Sequence, residues 1–200
     1  MSAHSLNGRT ALVTGGARGL GTGMAQALAA AGANVMIGDI LEDTGRQTAR
    51  ALAAAGAKAA FVQLDVTDEA CWLAAVSATH STFGGFDILI NNAGVMGCPQ
   101  GTTDDGFERQ FGTNHLGHFL LTGLVAPTLV ANGSGRIVNL SSRGHQRDDV
   151  HRDDVNFEHR DYDKWAAYGQ AKTANVLHAV ELDRRLRDRN VRAFAVHPGT

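Results

Sequence analysis

Apolar positions along this chain follow two rhythms. Short β-branched or apolar runs at Thr10 to Thr14, Asn34 to Gly38, Ala59 to Gln63, Ile88 to Ile90, Arg136 to Leu140 and Arg192 to Val196 predict six strands. Between them, apolar residues spaced three and four apart predict helices over Gly19 to Ala31, Glu42 to Ala55, Asp68 to Phe83, Asp105 to Ala131 and Tyr168 to Asp188. Gly32, Gly56 and Gly84 stop the first three. Strand and helix alternating at this pace predict an α/β fold: a doubly wound, Rossmann-type parallel sheet with helices on both faces, in three layers.

The helix from Asp105 contains Gly112, Gly117, Gly123 and Pro127, so it is expected to run to about Val125 and end weakly or with a kink. The stretch from Arg143 to Asp163 is dense in Asp, Arg and His and lacks an apolar period, which predicts a solvated loop. No internal repeat or low-complexity linker interrupts the chain. Its 200 residues, 44% hydrophobic and 19% charged, suit one domain spanning residues 1–200.

A net charge of −2 offers no basic field for nucleic acid or an anionic membrane, and a small-molecule partner is favoured. Cys71 and Cys98 have neither disulfide nor metal-ligand spacing, and Met1-Ser2-Ala3-His4-Ser5-Leu6-Asn7 lacks a signal pattern. No run approaches the roughly 20 apolar residues of a membrane helix. A cytoplasmic protein is expected. Nine histidines raise the question of a metal, but His145, His151 and His159 match no ligand spacing and none is expected. His115 and His118, three apart beside Leu116 and Phe119, suggest packing or an interface.

Two clusters carry chemistry. In Thr14-Gly15-Gly16-Ala17-Arg18-Gly19-Leu20-Gly21 a strand ends in a glycine turn that opens a helix, which places backbone N–H groups where a pyrophosphate can sit. Asp39, 18 residues after Gly21, stands where a carboxylate accepts hydrogen bonds from an adenosine ribose. A 2′-phosphate there would meet like charge, which favours NAD, whereas Arg18 inside the turn would partly neutralise such a phosphate, so NADP stays open. In Tyr168-Gly-Gln-Ala-Lys172 the two ends share a helix face, and an ammonium beside a phenol favours the phenolate. Ser141 and Ser142 close the fifth strand, and either can serve the backbone there.

These residues resemble the short-chain dehydrogenase/reductase family over essentially the whole chain. Thr14 to Gly21 is similar to its Thr-Gly-x-x-x-Gly-x-Gly turn, and Asn91-Asn92-Ala93-Gly94 to its Asn-Asn-Ala-Gly motif. Asp65-Val66 matches the pair that meets adenine, and Pro198-Gly199 its sixth-strand turn. The resemblance implies cofactor contacts at Gly15, Arg18, Gly19, Leu20, Gly21, Asp39, Ile40, Asp65, Val66, Asn92, Ala93, Gly94, Tyr168, Lys172, Pro198 and Gly199. It also implies catalytic roles for Asn114, Ser142, Tyr168 and Lys172: a water held by Asn114, substrate oxygen at Ser142, proton transfer at Tyr168, and cofactor ribose at Lys172. Gln110 to Thr122 is similar to a retinol dehydrogenase-like branch. Asp39 and Leu64-Asp-Val-Thr-Asp68 read instead like the NAD-dependent alcohol and hydroxysteroid branch.

The implied activity is hydride transfer between a nicotinamide and an alcohol or carbonyl. Members usually continue through a substrate loop, a helix and a seventh strand after the Pro-Gly turn, so a sheet truncated after its sixth strand is expected. The rival class is a dinucleotide-binding fragment or interaction module without turnover. Epimerase and dehydratase relatives use a differently spaced glycine turn. The family pairs the helices from Asp105 and Tyr168, which implies a homodimer or homotetramer.

Overall fold

The computed structural model describes residues 5–199; Met1 to His4, on which part of the amino-terminal reading rests, and Thr200 lie outside it. Six parallel strands form one sheet: β1 (Thr10–Thr14), β2 (Asn34–Asp39), β3 (Ala59–Gln63), β4 (Ile88–Asn91), β5 (Arg136–Leu140) and β6 (Arg192–Val196), ordered β3-β2-β1-β4-β5-β6. The predicted Rossmann-type α/β architecture is therefore present. All six strands lie where the apolar runs place them, with β2 and β4 each one residue longer.

Helices α1 (Gly19–Ala30) and α2 (Glu42–Ala54) cover one face, where Ala11, Val13, Val35, Ile37, Ile88 and Ile90 meet Ala25, Ala49 and Leu52. On the other face Leu12, Met36, Leu89 and Ile137 pack on α3 (Glu69–Phe83) and α5 (Gly117–Asn132) through Trp72, Ala75, Leu121, Val125 and Leu129. Neighbouring strand residues point to opposite faces, so a strand covered on both sides reads as one apolar run. The last long helix, α6 (Lys164–Leu186), lies beside β5 and β6 and packs Ala171 and Ala174 on Phe111.

Three helix boundaries depart from expectation, each because of a local contact. Asp105 to Glu108 is not helical: buried Glu108 turns its carboxylate onto the N–H groups of Gln110 and Phe111 and starts α4 (Arg109–Phe111). A π turn, Gly112–Leu116, follows and runs straight into α5. The helix passes Pro127 and ends at Asn132, where Gly133 in the left-handed region caps it. α6 starts four residues before Tyr168 because Asp163 accepts hydrogen bonds from Trp165 and Ala166 N–H.

The segment from Arg143 to Asp163 is not simply a solvated loop. It opens with a 3₁₀ turn, Arg143–Gln146, and buries Phe157 under the guanidinium of Arg160, 3.7 Å from the ring centroid. Arg160 also pairs with Asp148 and Asp154 and donates to Gln170 Oε1. Much of its charge is thus neutralised within the segment, which straps α6.

Candidate active site

Strand order reverses at β1 and β4: the chain builds outward from β1 to β3, then returns to place β4 on the other side of β1. Loops leaving the carboxyl ends of these two strands diverge, which opens a crevice. Thr14, the last residue of β1, ties its two walls together. Its Oγ1 accepts from the N–H groups of Asn92 and Ala93, both at 2.9 Å, and the Asn92 amide donates back to Thr14 O and Gly15 O.

Two glycines of the turn answer to close approach. Gly15 has φ +63°, and a Cβ on it would stand 2.8 Å from Ala93 Cα; a Cβ on Gly21 would run into the Gly15 carbonyl. The cleft of about 500 Å³ above them is lined by Gly15, Arg18, Gly19, Leu20, Gly21, Asp39, Ile40, Asp65, Val66, Asn92, Ala93 and Gly94, with Val95 and Thr113 not foreseen from sequence. Buried Asp39 uses its carboxylate to hold the turn, accepting from Ala17 N–H at 2.9 Å and Leu41 N–H at 3.0 Å. A glycine turn without side chains at its closest points, the amino end of α1 and a carboxylate at the far rim fit a dinucleotide.

A smaller depression continues the cleft through Leu20, Asn92, Gly94 and Val95 and reaches Tyr168, Lys172 and Pro198. Lys172 Nζ lies 5.5 Å from the Tyr168 ring centroid and donates to Leu140 O at 3.0 Å. Burial pulls the Lys172 pKa down from 10.5 to about 8. Beyond Tyr168 opens a mouth of about 600 Å³ walled by Met96, Ser142, Arg143, Gly144, Gln146, Arg147 and Trp165. Ser142 faces this mouth and accepts from Gly144 N–H, whereas Ser141 is buried and donates to Lys172 O, the backbone duty open to either serine. A further depression between α1 and α2 is walled mainly by alanines and shares none of these groups.

Asn114 sits in the π turn and does not line the cleft. Its side chain pairs with both backbone groups of Val95, at 2.8 Å each, and so fixes the chain that leaves Gly94. Gly199, with φ +98°, follows Pro198 without joining the lining residues. Sequence reading passed over the next layer. Gln110 Oε1 accepts from Gly97 N–H, its amide reaches Tyr162 Oη, and Tyr162 donates to Cys98 O. These bonds hold the loop that carries Met96. A glutamine and a glutamate buried at a helix start are the only sequence signal for them.

His115 and His118 do not meet each other. His118 Nε2 lies 2.9 Å from Thr14 Oγ1 and its Nδ1 3.2 Å from Asn114 O. Asn114 O can only accept, so Nδ1 carries the hydrogen and neutral Nε2 accepts from the Thr14 hydroxyl, which also lies 3.3 Å from Ile90 O. His118 is fully buried and its pKa falls to about 3 for that reason. His115 stacks instead with Phe111, Phe119 and His178 at the α5–α6 surface.

The family model for short chain dehydrogenases matches residues 9–153. The chain belongs to the short-chain dehydrogenase family. Among similar proteins, human retinol dehydrogenase 13 is 56% identical over 113 residues, 56% of this chain and 34% of that protein. Mouse retinol dehydrogenase 11 is 41% identical over 98% of this chain and 62% of its own length. A probable oxidoreductase of Streptomyces lividans is 44% identical over 97% and 65%. The chain therefore spans less than two thirds of the length of these relatives. A crystal structure of an uncharacterised protein from Mycobacterium paratuberculosis, 41% identical, superposes with a TM-score of 0.84 over 98% of this chain and 69% of that one.

Proposed function

We propose that the protein is an oxidoreductase that moves a hydride between a nicotinamide cofactor and an alcohol or carbonyl substrate. The observation that carries this is Tyr168 and Lys172 on one face of α6, in a depression continuous with the glycine-turn cleft and open on its other side to Ser142. The cofactor supplies the hydride chemistry, which no side chain can. Tyr168 takes the hydroxyl proton in oxidation and returns it in reduction. Ser142 hydrogen-bonds the substrate oxygen and stabilises the charge that develops on it. Lys172 stands beside Tyr168 and binds the nicotinamide ribose.

Asp39 supports NAD over NADP, because its carboxylate would face a 2′-phosphate. Arg143, Arg147 and Trp165 around the mouth, with Arg147 5.8 Å from the Trp165 ring centroid, give a substrate wall of mixed character. Retinoid alcohols belong in the first substrate panel because several relatives are named retinol dehydrogenases. We read residues 1–200 as one dinucleotide-binding domain of a cytoplasmic protein, without nucleic-acid or membrane partners; among the described residues no helix is long and apolar enough to cross a membrane. Exposed Phe119, Leu120, Leu124, Leu177 and Val180 on α5 and α6 support a homodimer or homotetramer.

The test follows reduced-nicotinamide absorbance with NAD and a panel of primary and secondary alcohols, beside Tyr168→Phe. Turnover in the parent that vanishes in Tyr168→Phe is expected. Undiminished turnover in Tyr168→Phe would remove the tyrosine from the mechanism, and dinucleotide binding without turnover on any substrate would favour the non-catalytic reading.

A further inference from the structure

Asn175 stands one helical turn after Lys172 on α6 and is buried. Every hydrogen-bonding group of its amide is engaged. Nδ2 donates to Asn114 O and to Leu140 O, both at 3.0 Å, and Oδ1 faces His115 Nδ1 at 3.0 Å. Because Nδ2 is fixed as the donor to two carbonyls, Oδ1 is the acceptor and His115 Nδ1 carries the hydrogen.

One of the two carbonyls it grips is the one Lys172 uses. Leu140 O accepts from Lys172 Nζ as well as from Asn175, so both of its lone pairs are taken. Asn114 O accepts from His118 Nδ1 as well as from Asn175. Lys172 has three N–H donors, and Leu140 O is its only hydrogen-bond partner among the described residues. With that acceptor saturated, its other two hydrogens are left to the cleft, where Tyr168 stands.

We propose that Asn175 is a positioning residue for Lys172: by holding the Leu140 carbonyl it fixes the ammonium's one backbone contact and leaves its remaining donors to the reaction centre. The proposal rests on the dehydrogenase reading above. Asn175 touches neither substrate nor cofactor and acts through the lysine alone. His118 completes the clamp from the other side by tying the same Asn114 carbonyl to Thr14, and through it to the glycine turn.

A double-mutant cycle of Asn175→Leu, Lys172→Met and the pair separates this from a structural role. Leu keeps the volume of the side chain and removes both donors. For each protein kcat, KM for the alcohol, NADH affinity by calorimetry and the melting temperature are measured. Asn175→Leu is expected to lower kcat on the order of tenfold and to weaken NADH binding, with the alcohol KM within about twofold of the parent. In the Lys172→Met background it should change neither kcat nor NADH affinity further, although it still lowers the melting temperature.

Equal proportional losses in both backgrounds, or a cooperatively melting Asn175→Leu with parental kcat and NADH affinity, would overturn the proposal. If Asn175→Leu does not fold, Asn175→Ser carries the same cycle. If the parent binds NADH without turning over, the cycle is read on affinity alone, and coupling there still upholds or sinks the assignment. A parent with no turnover that binds neither NADH nor NADPH would overturn the dehydrogenase reading and this assignment with it.

Discussion

Lys172 should be a residue that the fold would be more stable without. Its pKa falls from 10.5 to about 8 through burial alone, so the folded protein holds the charged form at a disadvantage. Between these two values the unfolded chain binds more protons than the native one, and stability therefore rises with pH across that window. The penalty works out at about 3 kcal/mol near pH 7, about 2 near pH 9, and under about 0.5 at pH 10.5, where the native lysine is neutral and the unfolded one half charged.

Lys172→Met removes the charge and keeps an unbranched chain. It gives up the hydrogen bond to Leu140 O, but that carbonyl still accepts from Asn175, so no buried acceptor is orphaned. A net gain of about 1–3 kcal/mol at pH 7 is expected, shrinking as pH rises through 8 towards 10.5, together with reduced turnover. Denaturant titrations of both proteins at several pH values measure it. A less stable Lys172→Met at pH 7, or a difference that does not change with pH, would refute the reasoning. The groups nearest the ammonium are Tyr168 and His118, and His118, with its pKa near 3, stays neutral throughout the window.

Two further outcomes follow from the same geometry. Asp39→Asn, which removes the charge and one of the two oxygens that hold the turn, should raise the NADP-to-NAD ratio of kcat/KM by about tenfold or more; an unchanged ratio, or an NADP preference in the parent, would sink the role given to Asp39. Acid should weaken the fold below pH 6.5, because burial holds His118 at about 3, His178 at about 4 and His115 below its usual value, while the unfolded chain takes up those protons first. His118 alone accounts for about 2 kcal/mol at pH 5, so His118→Gln should lose less stability between pH 7 and 5 than the parent, and an equal loss in both would count against it.

What was legible in the chain is what local chemistry decides. The strands announce themselves because a parallel strand buried on both faces must be apolar through its middle, as Ala11, Leu12 and Val13 and Ile88, Leu89 and Ile90 are. The glycine turn is legible because Gly15 and Gly21 answer to steric demands within a few residues and across one neighbouring loop. Helix starts were misplaced where one carboxylate overrides periodicity, as Glu108 and Asp163 do. The π turn at Gly112–Leu116 has no composition of its own. Gly117, which follows it, reads as a helix breaker, yet a Cβ there would strike the Val66 carbonyl, so it marks a close approach of helix to loop. Asn175 and Gln110 stayed hidden because each acts on backbone groups far away in the chain, and the role of His118 because its partner Thr14 is equally distant; the residue types alone read as helix interruptions.

The burial pattern divides the molecule along its strands, and the division explains why the site needs such support. Towards their amino ends β4 and β5 bury Ile88, Leu89 and Ile137, whereas at their carboxyl ends Asn91 and Asn139 lie side by side in register, also buried. Asn91 donates to Asn139 Oδ1 and Thr122 Oγ1, and Asn139 in turn approaches His178 Nδ1 and Asn175 O. This polar seam continues to His115, Asn175, Leu140 O and Lys172. An apolar packing of equal volume would be no less stable, and the seam is imperfect, since Asn91 Oδ1 finds no partner among the described residues. Leu and Val side chains at these positions would fill the space but could not hold a carbonyl oxygen in place. The Leu140 carbonyl must be fixed within hydrogen-bond tolerance to seat Lys172 beside Tyr168, and only a directional donor such as Asn175 can fix it. The carboxyl-terminal ends of β4 and β5 thus trade stability for geometry, and the apolar layers beneath them carry the fold.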